Sequence, residues 1–69
     1  MTQADIDNLI WELEKADYQI LIDQSDMKYG KMVVYNENGV YLDELEDMAG
    51  FYGANVYEGA NEYKAVIYL

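Results

Sequence analysis

The sequence has no cysteine, histidine, arginine or proline, and its only Ser/Thr hydroxyls are on Thr2 and Ser25. Each absence removes a class of chemistry. Without cysteine there is no disulfide framework to support a small core. Without histidine or cysteine, and with only those two hydroxyls, neither a catalytic triad nor a soft-metal site can be assembled. Only hard cations remain, through oxygen ligands such as Asp23, Asp26, Glu37 and Asn38. Neither 23–26 nor 36–39 follows the alternating EF-hand pattern with its distant glutamate. Paired carboxylates could in principle cleave a sugar, but that needs a cleft larger than so short a chain usually offers. The expectation is a protein that is not an enzyme and that uses no cofactor or metal.

Long apolar runs are also missing. No stretch approaches the length of a membrane span, and residues 1–5 have neither the basic start nor the greasy stretch of a signal peptide. Together these point to a cytoplasmic protein. No repeat, low-complexity segment or linker composition divides the 69 residues, so they are expected to form one domain, 1–69.

What is present is apolar surface and negative charge. Hydrophobic residues make up 52%, ample for a core, and eight tyrosines dominate the aromatics. Four lysines face fourteen carboxylates, a net charge of −10. Such a field repels nucleic acid and anionic membrane, so neither is expected as a direct partner.

Periodicity predicts an α+β fold of two helices and a small antiparallel sheet of four to five strands, in the order α-β-β-(β)-α-β-β. Thr2 with Asp5 fits a capping box, and Ile6, Leu9, Ile10 and Leu13 keep helical spacing, giving a helix over 3–16. Trp11 beside that stripe reads as a partly buried flank of the core. Strands are expected over 18–23 and 31–35, with a turn at 24–26. Asn38-Gly39 is a strong hairpin signal that would return 40–42 as a short strand. Asp43, with Glu46 three residues on, is placed to cap a second helix with apolar positions Leu42, Leu45, Met48 and Phe51 or Tyr52, ending near Gly50 or Gly53. Strands over 56–58 and 63–69 close the chain across Gly59-Ala60-Asn61.

Alternation along the strands makes both sheet faces partly apolar. Ile20, Ile22, Met32, Val34, Ala65 and Ile67 can line one face, and Leu21, Val33, Tyr35, Val66 and Tyr68 the other. Two helices on one face would leave the second set open, as an interface. Helices on opposite faces, or a twisted sheet covered by its own hairpin, would close it; the pattern leaves these arrangements open.

The densest acidic cluster is Asp43, Glu44, Glu46 and Asp47. Carboxylates in a first helical turn are stabilised by the macrodipole, which accounts for some of them and for Asp5 and Asp7. It does not account for all, since Asp43 and Asp47 repel at i, i+4 and a net charge of roughly 2 to 8 satisfies solubility. Spread evenly over roughly 4,500 Å2, ten net charges occupy about 450 Å2 each, against roughly 100 Å2 per charge on duplex DNA. Gathered on a third of the surface they would approach about 150 Å2. Tyrosines interleaved with carboxylates can also receive basic side chains, and Tyr52, Tyr57, Glu58, Glu62 and Tyr63 are close enough in sequence to do so.

In size, acidity, tyrosine content and lack of catalytic residues the chain resembles the small DNA-mimic inhibitors encoded by phages and mobile elements, including anti-CRISPR and anti-restriction proteins. That resemblance implies a protein–protein interaction with a basic nucleic-acid-binding protein or complex, in evasion of host defence and in the host cytoplasm. The contact residues it implies are Asp43, Glu44, Glu46 and Asp47, joined by Asp23, Asp26, Glu58 and Glu62. The alternative from the residues is a self-associating structural or adaptor module that pairs through an apolar sheet face, so that both a monomer and a homodimer stay open.

Overall fold

A computed structural model describes residues 1–69. The first helix, α1 (Gln3–Lys15), begins with the expected capping box: Asp5 N–H donates to Thr2 Oγ1 at 3.2 Å, and Thr2 N–H donates to Asp5 Oδ2 at 3.2 Å. It ends in a Schellman motif built on Asp17 (φ 69°), in which Tyr18 N–H reaches Leu13 O and Asp17 N–H reaches Glu14 O. An aspartate is one of the few non-glycine residues that accept this left-handed conformation.

Strand β1 (Gln19–Ile20) is much shorter than the expected 18–23, because the chain turns into a 3-10 helix at Ile22–Gln24 and another at Met27–Tyr29. Ser25 makes the departure cheap. Its hydroxyl accepts from Val33 N–H at 2.8 Å and donates to Leu21 O at 2.7 Å, taking the place of a strand partner. Ile22 is consequently 71% exposed and does not line the sheet.

Strand β2 (Lys31–Tyr35) is central, paired antiparallel with β1 on one side and with β4 (Lys64–Tyr68) on the other; β3 (Asn55–Glu58) pairs with β4, giving the order β1-β2-β4-β3. The hairpin expected at Asn38-Gly39 therefore does not form, and there is no fifth strand. Both edges of β2 are already taken. The segment 36–39 is a turn closed by Gly39 N–H on Asn36 O and by Asn38 N–H on the Asn36 side chain, and only Gly39 has positive φ (98°). Val40 N–H then bonds Glu62 O, leading the chain along the β3–β4 loop.

The second helix, α2 (Leu42–Phe51), starts two residues earlier than a cap at Asp43 would allow. Its N-cap is Tyr41, which lacks a side-chain cap bond; Tyr41 N–H instead donates to Tyr18 Oη at 3.0 Å. Asp43 lies inside the first turn, where its charge still meets the helix dipole. A second Schellman motif ends α2, with Gly53 (φ 80°) in the left-handed position and Ala54 N–H on Ala49 O.

Both helices pack on the same face of the sheet, around a core of Leu9, Leu13, Tyr18, Leu45 and Ala49 from the helical side and Met32, Val34, Ala65 and Ile67 from the strands. The opposite face stays partly open: Tyr57 and Tyr68 are exposed and meet edge to face at 5.5 Å. Val33 on that face is only 5% exposed, beside the 3-10 segment that packs against β2. Trp11, expected to be a core flank, is 61% exposed because it lies across the helix from Leu9 and Leu13. Of the two candidates for the last apolar position of α2, Tyr52 turns inward and Phe51 is 82% exposed. No helix is long and apolar enough to cross a membrane.

Candidate acidic binding face

Sharing one sheet face places the two helices side by side and antiparallel, with Tyr52 near Asp5 and Glu12, and Met48 near Trp11 and Ala16. Their carboxylates thereby join one layer. Asp5, Asp7, Glu12 and Glu14 of α1 stand with Asp43, Glu44, Glu46 and Asp47 of α2, against the single basic residue Lys15. Seven of the ten net negative charges thus sit on 23 of 69 residues. Lys28 lies in the 3-10 segment, and Lys31 and Lys64 alternate onto the sheet face away from the helices.

The whole surface is 4532 Å2. If the helical layer presents about a third of it, the local density is about 220 Å2 per net charge, within roughly twofold of duplex DNA. Where lysine heads are engaged, their partners are neutral: Lys64 Nζ donates to Gln24 Oε1 at 3.2 Å, and Lys15 and Lys28 stand over the rings of Trp11 and Tyr29.

The other expected contact residues divide. Glu58 and Glu62 border a cleft with Val40 and Leu42 at the start of α2, so they extend the acidic face around its N-terminal end, although Lys64 lines the same cleft. Glu46 reaches toward β3, beside Ala54, Asn55 and Tyr57. Asp23 and Asp26 do not join: they belong to the 3-10 segment, and Asp26 bridges to Lys31, at the end of β2 remote from the 58–62 turn. The aromatic surface expected from Tyr52, Tyr57 and Tyr63 does not assemble either. Tyr52 is half-buried between the helices, Tyr57 lies on the open sheet face, and Tyr63 is exposed beside Glu62. Sequence reasoning missed Glu12, Trp11 and Phe51. The stripe of Leu9 and Leu13 does place position 11 on the outer side, a signal outweighed by the usual burial of tryptophan.

Three tyrosines are harder to ionise than usual. Burial raises the pKa of Tyr18, a hydrogen bond to the Glu12 carboxylate raises that of Tyr52, and the charge of Glu62 raises that of Tyr63. The folded state therefore holds these protons more tightly than the unfolded chain, whose tyrosines titrate at 10.0. Their stabilising contribution is complete below that value and is lost as pH rises through the folded pKa values. The melting temperature is expected to stay level from about pH 7 to 9 and to fall above about 10, with some tyrosinate absorbance appearing late. Eight tyrosines titrating together, with no change in melting temperature, would refute this.

No group of three or more carboxylates lies close enough to hold a metal ion. The largest cleft, about 810 Å3 at the β1 edge of the sheet beside α1, is open, and its charged walls are the dispersed carboxylates Glu14, Asp17 and Glu37. The chain matches no family model, no curated protein and no solved structure.

Proposed function

We propose that the protein is an acidic inhibitor whose helical layer occupies the basic nucleic-acid-binding site of another protein, in the manner of a DNA mimic, with a host-defence complex as its target. The observation that carries this reading is the segregation of charge: eight carboxylates and one lysine on the two helices, with the other three lysines elsewhere. Extents of 29 × 22 × 18 Å match a duplex of about 20 Å in width. Carboxylates would stand where phosphates stand, pair with lysine and arginine of the target, and bring fast association that salt weakens.

The test is displacement of labelled duplex DNA from purified DNA-binding defence complexes, at low and high salt. Wild-type protein should displace DNA at low salt and lose potency as salt rises. Replacing Asp43 and Asp47 with Asn, and Glu44 and Glu46 with Gln, should weaken displacement by at least about tenfold without loss of helical circular dichroism. Full displacement by that folded variant would remove α2 as the contact surface.

A second reading draws on Tyr57 and Tyr68, exposed on the sheet face that the helices leave open. A module pairing through that face would sediment as a dimer and remain one at high salt, because apolar burial is not screened. A monomer at micromolar concentration excludes it.

A further inference from the structure

The cleft of about 810 Å3 at the β1 edge of the sheet is divided along its length. One end is acidic. Glu14 in the last turn of α1, Asp17 before β1 and Glu37 after β2 line it, and the Gln19–Tyr35 pair sets Asp17 and Glu37 beyond the same end of the strand. The other end is apolar, formed by Ile10, Ile20 and Ile22, of which Ile22 is 71% exposed. No lysine lines the cleft, and Asp23, next to Ile22, lines the neighbouring groove with Leu21 and Gln24 instead. Between the two ends lies unpaired backbone. Leu21 N–H donates to Val33 O and Gln19 stands opposite Tyr35, so the alternation of an antiparallel ladder turns the N–H and C=O of Ile20 away from β2, toward the cleft.

We propose that this edge receives an extended segment of another protein, added antiparallel to β1, with aliphatic side chains beside Ile10, Ile20 and Ile22 and basic side chains at Glu14, Asp17 and Glu37. Strand addition of this kind takes its affinity from main-chain hydrogen bonds and its selectivity from the pockets along the edge. Here the pockets differ in kind. Three exposed carboxylates with no basic residue among them attract cationic side chains, whereas the isoleucine end favours aliphatic ones through burial of apolar surface. Strand β1 runs from the acidic end to the apolar end, so an antiparallel segment carries its aliphatic residues first and its basic residues last. A second copy of the chain is a poor occupant, because its own free strand β3 ends in Glu58 and two chains of charge −10 repel. The edge shares only the Glu14 carboxylate with the helical layer and does not depend on the function proposed for that layer.

The capped peptide Val-Ile-Val-Lys-Lys-Lys and its reversed sequence share one composition and one charge, so attraction to an acidic protein alone does not tell them apart. Each is titrated into the full chain by calorimetry, with amide hydrogen exchange followed by NMR. The forward peptide should bind at least about fivefold more tightly than the reversed one and should slow exchange of the Ile20 N–H, which is fast in the free chain. Ile22→Ser, at an exposed side chain, should bring the forward peptide down to the affinity of the reversed one. The joint variant Glu14→Gln, Asp17→Asn and Glu37→Gln should do the same, with folding checked by circular dichroism; asparagine accepts the left-handed conformation at position 17. The four-amide variant of α2 should keep the preference, which separates this edge from the helical layer. Equal or tighter binding of the reversed peptide, failure of both to bind at low salt, or an Ile20 amide that exchanges as fast with peptide as without it would overturn the proposal and leave the acidic helical layer standing. An Ile20 amide already protected in a peptide-free dimer would overturn it too, by giving the edge to a second copy.

Discussion

Truncating Leu45 to alanine is expected to cost about 2–5 kcal/mol, the range for removing a leucine from a core that cannot collapse onto the gap. Leu45 is fully buried, and its helix supplies only one other fully buried residue, Ala49. At roughly 0.05–0.15 kcal/mol per residue, a chain of this length has about 3.5–10 kcal/mol in all. A single truncation therefore removes a third or more of the stability at the middle of both ranges. The neighbours on either side in sequence give the contrast. Glu44 and Glu46 are exposed in a crowded acidic layer. Glu44→Gln or Glu46→Gln should shift stability by no more than about 0.5 kcal/mol, with relief of repulsion favouring the variant. Urea unfolding midpoints of the three variants decide the matter. Were Leu45→Ala to move the midpoint no further than Glu46→Gln, the packing of α2 on the sheet would be wrong, and the acidic layer with it.

The features legible in the sequence are those encoded within a few residues. Thr2 and Asp5 close a capping box three apart, the stripe from Ile6 to Leu13 is one helix face, and Gly53 supplies a left-handed stop two residues after the last helical position. Misread features depended on distant partners. Asn38-Gly39 carries a strong local hairpin signal, but the edge of β2 it would need is occupied by β4, thirty residues on. Strand formers from Tyr18 to Asp23 predicted a long strand, yet the Ser25 hydroxyl offered Val33 N–H another partner and the chain turned away. Tyr41 displaced Asp43 as the N-cap because its N–H is met by Tyr18, which no local pattern announces.

The same division runs through the candidate site. The four carboxylates of α2 were visible as a cluster because they lie within five positions. That those of α1 would join them depended on which sheet face each helix took, and alternation in the strands left both faces apolar enough. Packing, rather than composition, converts a charge of −10 into a polarised surface. Asp23 and Asp26 show the converse, since two acidic residues in a turn were carried to the other side of the sheet by a 3-10 segment.

Alanine at Gly59 is expected to open the β3–β4 turn. An added Cβ there would lie 2.6 Å from both the carbonyl carbon and oxygen of Lys64 and 2.9 Å from its Cβ, a clash with backbone that no rotamer change relieves. The strands must separate at the Glu58–Ala65 pair, and the Gly59 N–H bond to Lys64 O is strained or lost. Overpacking of this kind costs about 1–3 kcal/mol and more when backbone must move. Gly50 provides the control of opposite sign. It sits inside α2 with nothing within 4 Å of an added Cβ, so Gly50→Ala should stabilise by up to about 1 kcal/mol through helix propensity alone. The functional consequence separates the two ends of the acidic face. Opening the turn strains the Val40 N–H bond to Glu62 O that holds the hairpin at the start of α2, and so moves Glu58 and Glu62 away from it while the α2 carboxylates keep their places. At a temperature where it remains folded, Gly59→Ala should therefore weaken DNA displacement less than the four-amide variant does. A loss equal to or greater than that variant's would move the centre of the contact from α2 to the hairpin, and unchanged thermal stability would show that the turn is not as tight as the Lys64 contacts require.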